Sequence, residues 1–247
     1  MKIKIKDVLL ITVIFIYTSV LSQESTGIIT YKASLNKEKI LKKINDNKEL
    51  SNAMRENILK VALDSEDINF TLVFNGKESI FSSISSKMKN EGKKKMNLTK
   101  TQADENSTYY TNLKTNEKFK KSSNFDGILI SINPFTWEFT NETKKIGKFI
   151  CKKATTTTTV KGRGGIFTRT ITSWYTTDIP IPFGVQGFNG LPGLTLRLNI
   201  DDKILFEVTN IKLNPKEKIV IKRPKGKKIS YKEFNNILES SRKRKFK

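Results

Sequence analysis

The chain has 247 residues, with 46 Lys and Arg against 24 Asp and Glu, a single cysteine and no histidine. The missing histidine excludes histidine-based catalytic triads and removes the commonest metal ligand, and a lone cysteine excludes an internal disulfide. The formal charge of +22 would suit nucleic acid, but the positive residues are mostly lysines and few arginines are present to make bidentate base contacts. A nucleic-acid role is therefore disfavoured.

The N-terminus has the pattern of a secretory signal peptide. Three lysines precede an apolar run over residues 8–21, which is shorter than the roughly 20 residues that a membrane-spanning helix needs. We expect export to the periplasm or outer envelope, with cleavage after Ser22 and a mature N-terminus at Gln23. An uncleaved membrane anchor is the alternative. We expect one β-rich domain over residues 23–241 and a basic tail over residues 242–247.

Strand-like and helical patterns alternate in the first part of the chain. Residues 27–34 are rich in β-branched and aromatic side chains, which favours a strand. Residues 36–63 place apolar residues at helical spacing, and a break at residues 45–47 predicts two helices. Two alternating runs within residues 68–85 flank Asn75-Gly76, which predicts a hairpin with a type I′ turn. The polar residues 87–106 predict a mobile surface loop.

Short strand-like runs continue through the middle of the chain, and they cover residues 108–113, 117–122, 127–132 and 137–140. The threonine-rich residues 146–160 and 166–179 flank a glycine-rich tip, which predicts a long hairpin in which the threonines form an exposed strand face. A further hairpin is predicted around Asp201-Asp202, between residues 194–201 and 203–213.

An amphipathic helix is predicted over residues 231–241, with Phe234, Ile237 and Leu238 on one face. Together these patterns predict a mainly β fold. We expect a single strongly curved antiparallel sheet, half-barrel-like, with a helical insertion near the N-terminus and a short C-terminal helix. A buried, unreactive thiol is expected at Cys151.

The glycine-rich stretch GVQGFNGLPGLTLRL at residues 184–198 places glycine at every third position up to Gly193. A phosphate-binding loop should open a helix, but the alternating residues that follow predict a strand. A collagen-like helix would need many more triplets. We therefore interpret the stretch as a structural crossing between two strands. Gly190 and Gly193 are the expected positions of positive φ or tight packing.

The same stretch resembles the GLPGLI family, exported proteins found mainly in the Bacteroidetes. The residues that carry the resemblance are Asn189-Gly190-Leu191-Pro192-Gly193-Leu194, Trp137, the run from Ile146 through Cys151 to Ala154, Trp174-Tyr175-Thr176, Asp178-Ile179-Pro180 and Gly184. The chain departs from the family pattern at Val185, where proline is usual, and at Thr195, where the family has isoleucine. The family has no assigned function, so the resemblance implies location and kinship.

We expect an exported, non-catalytic envelope protein that binds an apolar ligand or an envelope partner, either on the concave face of the sheet or at the loop. The family motif Gly190, Leu191, Pro192, Gly193 and Leu194 and the side chains of Trp174, Tyr175, Asp178, Pro180 and Phe188 are the candidate binding or loop-supporting residues. No catalytic residue, metal ligand or cofactor is expected. The alternative from another class is a secreted hydrolase that uses Asp178 with a second carboxylate.

The C-terminal residues 216–247 contain thirteen Lys and Arg and three Glu, so they carry about half of the excess positive charge. A basic segment of this kind is attracted to anionic membrane surfaces, and a solvated tail is the simpler interpretation. The oligomeric state is left open.

Overall fold

The computed structural model describes residues 25–84, 96–162 and 165–245, so the predicted signal peptide lies outside the described residues. The elements in chain order are β1 (Thr26–Leu35), α1 (Lys37–Asp46), α2 (Asn52–Asp64), β2 (Ile68–Asn75), β3 (Glu78–Ser83), α3 (Leu98–Gln102), β4 (Ser107–Asn112), β5 (Glu117–Ser122), β6 (Ile128–Ser131), β7 (Glu138–Ile146), β8 (Phe149–Gly162), β9 (Gly165–Thr176), a 3-10 turn (Val185–Gly187), β10 (Leu194–Ile200), β11 (Ile204–Leu213), β12 (Lys227–Ile229) and α4 (Tyr231–Lys245).

The twelve strands form one sheet in the order β12-β6-β5-β4-β3-β2-β1-β11-β10-β9-β8-β7. The predicted mainly β, single-sheet architecture is confirmed. Most neighbours are consecutive hairpins, which local sequence patterns can predict. The antiparallel prediction is wrong for one pair, because β12 lies parallel to β6. Residues 214–226 carry the chain from β11 to the far edge of the sheet, where β12 forms. A long connection of this kind, unlike a tight hairpin, can place the next strand parallel to its neighbour.

The predicted helical insertion is confirmed as α1 and α2. The side chain of Asn36 accepts a hydrogen bond from the Lys39 N–H, and that of Ser51 accepts one from the Met54 N–H, so each helix begins at a polar capping residue. The predicted break between the helices is real. There the Arg55 guanidinium donates hydrogen bonds to the main-chain carbonyls of Asn45 and Asn47, at 2.7 and 2.9 Å.

The first hairpin is confirmed, but its turn lies one residue later than predicted. Gly76 and Lys77 are the two central residues, and Gly76 has φ +84°. A positive φ at the first central residue alone is the pattern of a type II′ turn. Asn75 is instead the last residue of β2, and its side-chain oxygen accepts a hydrogen bond from the Glu78 N–H, at 2.9 Å, across the turn. The hairpin predicted around Asp201-Asp202 is confirmed, and both residues have positive φ.

One face of the sheet carries the main apolar core, and we call it the inner face. On β1 the buried residues alternate with less buried ones, and the buried set includes Ile29 and Tyr31. Phe70 stacks on Phe81 at 5.2 Å between ring centroids, and Phe206 meets both rings edge-on. These ring contacts join the hairpin of β2 and β3 to β11, which is far away in the sequence, on one face of the sheet.

The opposite, outer face is crossed by residues 214–226, which we call the strap. Ile221 of the strap packs on a small cluster of Tyr110, Phe119 and Leu129. The Arg223 guanidinium lies 5.1 Å from the centre of the Phe119 ring. It also makes a bidentate ion pair with Glu117, at 2.9 and 3.1 Å. This part of the basic C-terminal segment is therefore packed on the sheet and is not a solvated tail.

The expectation of a loop over residues 87–106 is wrong for its second half, while residues 85–95 lie outside the described residues. Residues 98–102 form α3, and Thr99 and Ala103 are fully buried. Asp104 then turns the chain with φ +54°, a conformation that Asp tolerates. Polar composition concealed this segment because its contacts with the core are made by small side chains.

Asp104 is the polar centre of that segment. Its carboxylate accepts hydrogen bonds from the Tyr109 hydroxyl at 2.6 Å, from Lys120 Nζ at 2.9 Å and from the Ser107 hydroxyl at 2.9 Å. Burial alone would raise the pKa of Asp104, but the Lys120 ammonium and these hydrogen bonds outweigh burial and lower it. Burial and the Asp104 charge raise the pKa of Tyr109, so its hydroxyl remains a donor.

The C-terminal helix is confirmed and is longer than predicted, because α4 continues to Lys245 through most of the expected tail. Phe234 is buried against Ile130 and Ile229, and Leu238 packs beside them. The expectation for Ile237 is wrong, since 41% of this residue is exposed. None of the helices in the described part of the chain is long and apolar enough to cross a membrane.

We expect Asp104→Asn to lower the melting temperature at pH 7 by about 2–4 °C or more, since a domain of this size shifts by that much per kcal/mol. Asparagine keeps the size and tolerates the backbone conformation. Because the folded-state pKa of Asp104 is lowered, its stabilisation is present above the unfolded value of about 3.9 and is lost as pH falls below it. The difference from wild type should therefore shrink below about pH 4.

Thermal melts from pH 7 to pH 2 measure this, with the exposed Glu49→Gln as the control. A difference that stays constant down to pH 2 would contradict the role given to the Asp104 charge.

Candidate functional site

The predicted motif lies in the segment that connects β9 to β10, residues 177–193, which we call the crossing loop. Its apolar side chains are buried in the main core, and the set comprises Ile179, Ile181, Phe183, Val185 and Leu191. Hydrogen bonds also run within the loop, from the Gly190 N–H to the Pro182 carbonyl and from the Leu194 N–H to the Ile179 carbonyl, both at 2.8 Å. The crossing loop is therefore part of the core.

Asn189 fixes the loop at its centre. Its side-chain oxygen accepts the Gly184 N–H at 2.7 Å, its amide nitrogen donates to the Thr111 hydroxyl at 2.7 Å, and its main-chain carbonyl accepts the indole N–H of Trp137 at 2.9 Å. Asn189 is 5% exposed, so these bonds form away from water. The sequence places Asn189 at the start of the family motif, but no local pattern predicts these three hydrogen bonds.

A second polar anchor holds the loop to the α3 segment. Gln186 adopts φ +51° and its amide nitrogen donates to the carbonyl of Ala103 at 2.7 Å. A methyl group on the next residue, Gly187, would lie 2.8 Å from the Ile132 side chain and 3.4 Å from the Tyr109 ring. The turn at residues 185–187 is thus pressed against β4 and the end of β6.

The two glycines singled out from the sequence are needed for two different reasons. Gly190 has φ +91° and open space around it, so a side chain there would be strained but would meet nothing. Gly193 has no such strain, but a Cβ there would lie 1.9 Å from the carbonyl oxygen of Thr176. Leu191 and Leu194 of the motif are buried, whereas Pro192 is exposed.

The remaining candidate residues divide between core and surface. Tyr175 is 4% exposed and burial raises its pKa, while Asp178 and Pro180 are exposed. Trp174 is half-buried, with Lys144 Nζ 5.9 Å from its ring centre, and Phe188 is half-buried. The structure therefore does not bring all of them into one site.

Two of the candidates meet a row of aromatic residues that the sequence did not mark as binding residues, although its Trp137 carries part of the family resemblance. We define the aromatic row as Phe135, Trp137 and Phe139. Phe188 of the crossing loop lies 5.2 Å from Phe135 and 6.4 Å from Trp137, and Tyr175 lies 6.2 Å from Phe139, between ring centroids. The alternation of aromatic residues at positions 135, 137 and 139 is the signal that could have identified it.

Exposure varies along the aromatic row. Trp137 is 9% exposed and Phe135 is half-buried, but Phe139 is 59% exposed although its ring lies against Tyr175. Ile150 on the adjacent strand β8 is 60% exposed. An exposed aromatic ring held against a buried neighbour, as Phe139 is against Tyr175, is typical of a protein-binding surface.

A cavity of about 540 Å³ lies elsewhere, between the strap and the hairpin turns. It is lined mainly by polar and charged residues, which are Thr26, Asn75, Lys77, Glu78, Asn112, Lys114, Pro215, Glu217, Lys218 and Ile219. Some of its polar groups already form hydrogen bonds within the protein. The side-chain oxygens of Asn75 and Asn112 accept hydrogen bonds from main-chain N–H groups in their own turns. Its lining does not fit the apolar ligand that the sequence suggested.

Metal and thiol chemistry find little support in the described residues. No group of three or more His, Cys, Asp or Glu among them is placed to hold a metal ion. Cys151 is fully buried, and burial together with the nearby Asp178 carboxylate raises the pKa of its thiol, which agrees with an unreactive cysteine.

Comparison with known protein families finds a match that includes the crossing loop. The model of a family described as a protein of unknown function, Porph_ging, matches residues 165–197, which comprise β9, the crossing loop and the first half of β10. A search of curated proteins finds no significant match.

The chain is similar in fold to two solved structures of PNGF-II, in space groups C2 and P21. The TM-score is 0.50 in each case, with 17% and 18% sequence identity, and the alignments cover 88% of this chain. They cover 33% and 34% of the PNGF-II chains, so this chain spans about a third of their length. At this identity the likeness concerns the fold alone.

The glycine geometry predicts an order of destabilisation. Gly193→Ala should cost about 2 kcal/mol or more, because the methyl group has to displace strand backbone. Gly190→Ala should cost about 1 kcal/mol through backbone strain, and Pro192→Ala less than that. Gly147→Ala is the matched control, since Gly147 has φ +59° and open space but lies in the exposed β7–β8 turn.

Thermal melting of the four purified variants tests this order. If Gly193→Ala has the same melting temperature as the wild type, the close contact with Thr176 is not a determinant of the fold.

Proposed function

We propose that this protein is an exported, non-catalytic protein of the bacterial envelope, of the GLPGLI type, that binds a partner protein through the aromatic row. The observation that carries the proposal is Phe139, which is 59% exposed although it is held against the buried Tyr175. Binding surfaces are enriched in aromatic side chains whose positions are fixed before the partner arrives.

A partner protein fits this surface better than a small apolar ligand. Small apolar ligands are bound in concave cavities that cover most of their surface. On the inner face, that space is taken by the chain's own side chains, since Phe183, Val185 and Leu191 of the crossing loop are buried there. The aromatic row, in contrast, presents the exposed Phe139 ring beside the half-buried Phe135 and the buried Trp137, and a broad partner surface can cover it.

The absence of catalysis is supported by where the candidate carboxylates lie. Asp178, the acid considered for hydrolysis, is exposed, and its main-chain N–H donates a hydrogen bond to the Thr176 hydroxyl. Asp104 is the more buried acid, but three hydrogen-bond donors occupy its carboxylate.

Photo-cross-linking in the native envelope tests the binding surface. We expect p-benzoylphenylalanine in place of Phe139 to give a discrete adduct with one envelope protein. Met54 on α2 is the matched control position, because it is 55% exposed and lies on a different element. Adducts of equal yield at both positions, or none at Phe139, would contradict the proposed site.

The proposed location has its own test. The basic start and apolar run of residues 1–22 support export, and the family resemblance supports an envelope location. The protein isolated from its native cells should begin at Gln23. An intact Met1 on a cytosolic protein would exclude the envelope role.

A further inference from the structure

Half of β8 has a strand on only one side among the strands that the structure describes. β9 pairs with β8 from Lys152 to Gly162, whereas β7 pairs with it only as far as Thr155. In an antiparallel strand, alternate residues direct their N–H and C=O groups to opposite sides. Residues 156–162, which we call the open edge, therefore present main-chain donors and acceptors away from β9.

The open edge differs from the two outer edges of the sheet. β7 carries an irregularity between Phe139 and Thr143 and two lysines in succession at Lys144 and Lys145. β12 is three residues long and two of them are lysines. Bulges, lysines and short length are the usual means by which proteins prevent unwanted pairing at an edge. Residues 156–160 of the open edge are four threonines and a valine, with no charge, proline or glycine.

We infer that the open edge is a docking site for an extended segment of a partner protein, which adds to β8 as a further antiparallel strand. Strand addition of this kind draws its affinity from main-chain hydrogen bonds and its specificity from alternate side chains. The inference stands on the strand register and does not depend on the aromatic row.

The side chains of the open edge define the segment that would fit. Thr156 is buried, while Thr158 and Val160 on the same side of the strand are half-buried. Thr157 and Thr159 on the other side are exposed. Directly opposed β-branched side chains stabilise a strand pair. The fitting segment therefore alternates apolar β-branched residues with threonine or serine.

The net charge of the chain favours a partner protein over a second copy of this chain as the occupant of the open edge. The chain is strongly basic, with a formal charge of +22 over the full sequence, so two copies repel each other at long range, whereas a partner of net negative charge is attracted. The edge is also held in place before binding. β9 pairs with it along its length, and the Lys161 ammonium forms an ion pair with Glu239 of α4. Such preorganisation lowers the entropic cost of adding a strand.

A synthetic peptide tests the inference. The probe is the capped, fluorescently labelled nonapeptide Glu-Val-Thr-Val-Thr-Val-Thr-Val-Glu, titrated with the mature protein and followed by anisotropy. Two control peptides carry N-methyl groups either on the valines or on the threonines. Since alternate N–H groups face opposite sides, one control should bind at least about tenfold more weakly than the probe, and the other should bind nearly as well.

Two protein variants locate the binding. In Thr157→Pro and Thr158→Pro the lost N–H faces opposite sides of β8. The variant that loses the outward N–H should keep the wild-type melting temperature and bind the probe at least about tenfold more weakly. The other should melt earlier, because it loses a bond to β9. Phe139→Ser, which tests the proposed function, should leave binding of the probe unchanged.

Three results would overturn the inference. The first is no saturable binding of the probe. The second is equal binding by the probe and both N-methylated controls, which would exclude main-chain pairing. The third is a dimer in sedimentation that the fold-preserving proline variant dissociates, which would make a second copy the occupant of the edge.

Discussion

The buried hydrogen bonds of Asn189 are the constraint on which much of this structure depends. One residue joins the crossing loop to itself through Gly184, to β4 through Thr111 and to the aromatic row through Trp137. The Gly184 N–H and the Thr111 hydroxyl would lie buried without these partners if the Asn189 side chain were removed, and an unsatisfied buried polar group costs about 1–3 kcal/mol. The loop has no regular secondary structure beyond one short turn, so these specific bonds replace the ladder that a strand would supply.

Docking of the loop decides where binding can take place. The side chains of the loop complete the core on the inner face, and that face is not offered to a ligand. Apolar side chains are instead exposed near the margin of the sheet, at Phe139 on β7 and Ile150 on β8. The strap closes part of the outer face through Ile221 and Arg223. The chain's own segments thus cover the inner face and part of the outer face, while the margin of the sheet keeps exposed apolar side chains.

The sequence predicts the locally determined parts of the fold well. Alternation and turn residues are short-range signals, so the hairpins at residues 68–83, 149–176 and 194–213 were predicted from patterns within a few residues. The break between α1 and α2 follows from asparagines and from capping at Ser51. The two glycines of the motif were also identified correctly as special positions, because glycine is tolerated where other residues are not.

The parts that sequence reasoning missed depend on contacts between distant residues. Arg223 fixes the strap to Glu117, which is 106 positions away, and no local pattern indicates this pairing. The segment around Asp104 looks like a loop because its core contacts come from Thr99 and Ala103, two residues that carry little hydrophobic signal. The aromatic row was not recognised as a binding surface because the position of Phe139 is fixed by its contact with Tyr175, which lies two strands away in the sheet.

Native-state hydrogen exchange tests the central claim, that the crossing loop is part of the core. The amide protons of Gly184, Gly190 and Leu194 donate hydrogen bonds to acceptors in the loop. They should exchange as slowly as the amide protons of the central strands β1 and β11, and with the same dependence on denaturant, because they open only when the sheet unfolds. Fast exchange that is insensitive to denaturant would show that the loop opens on its own, and would contradict this account.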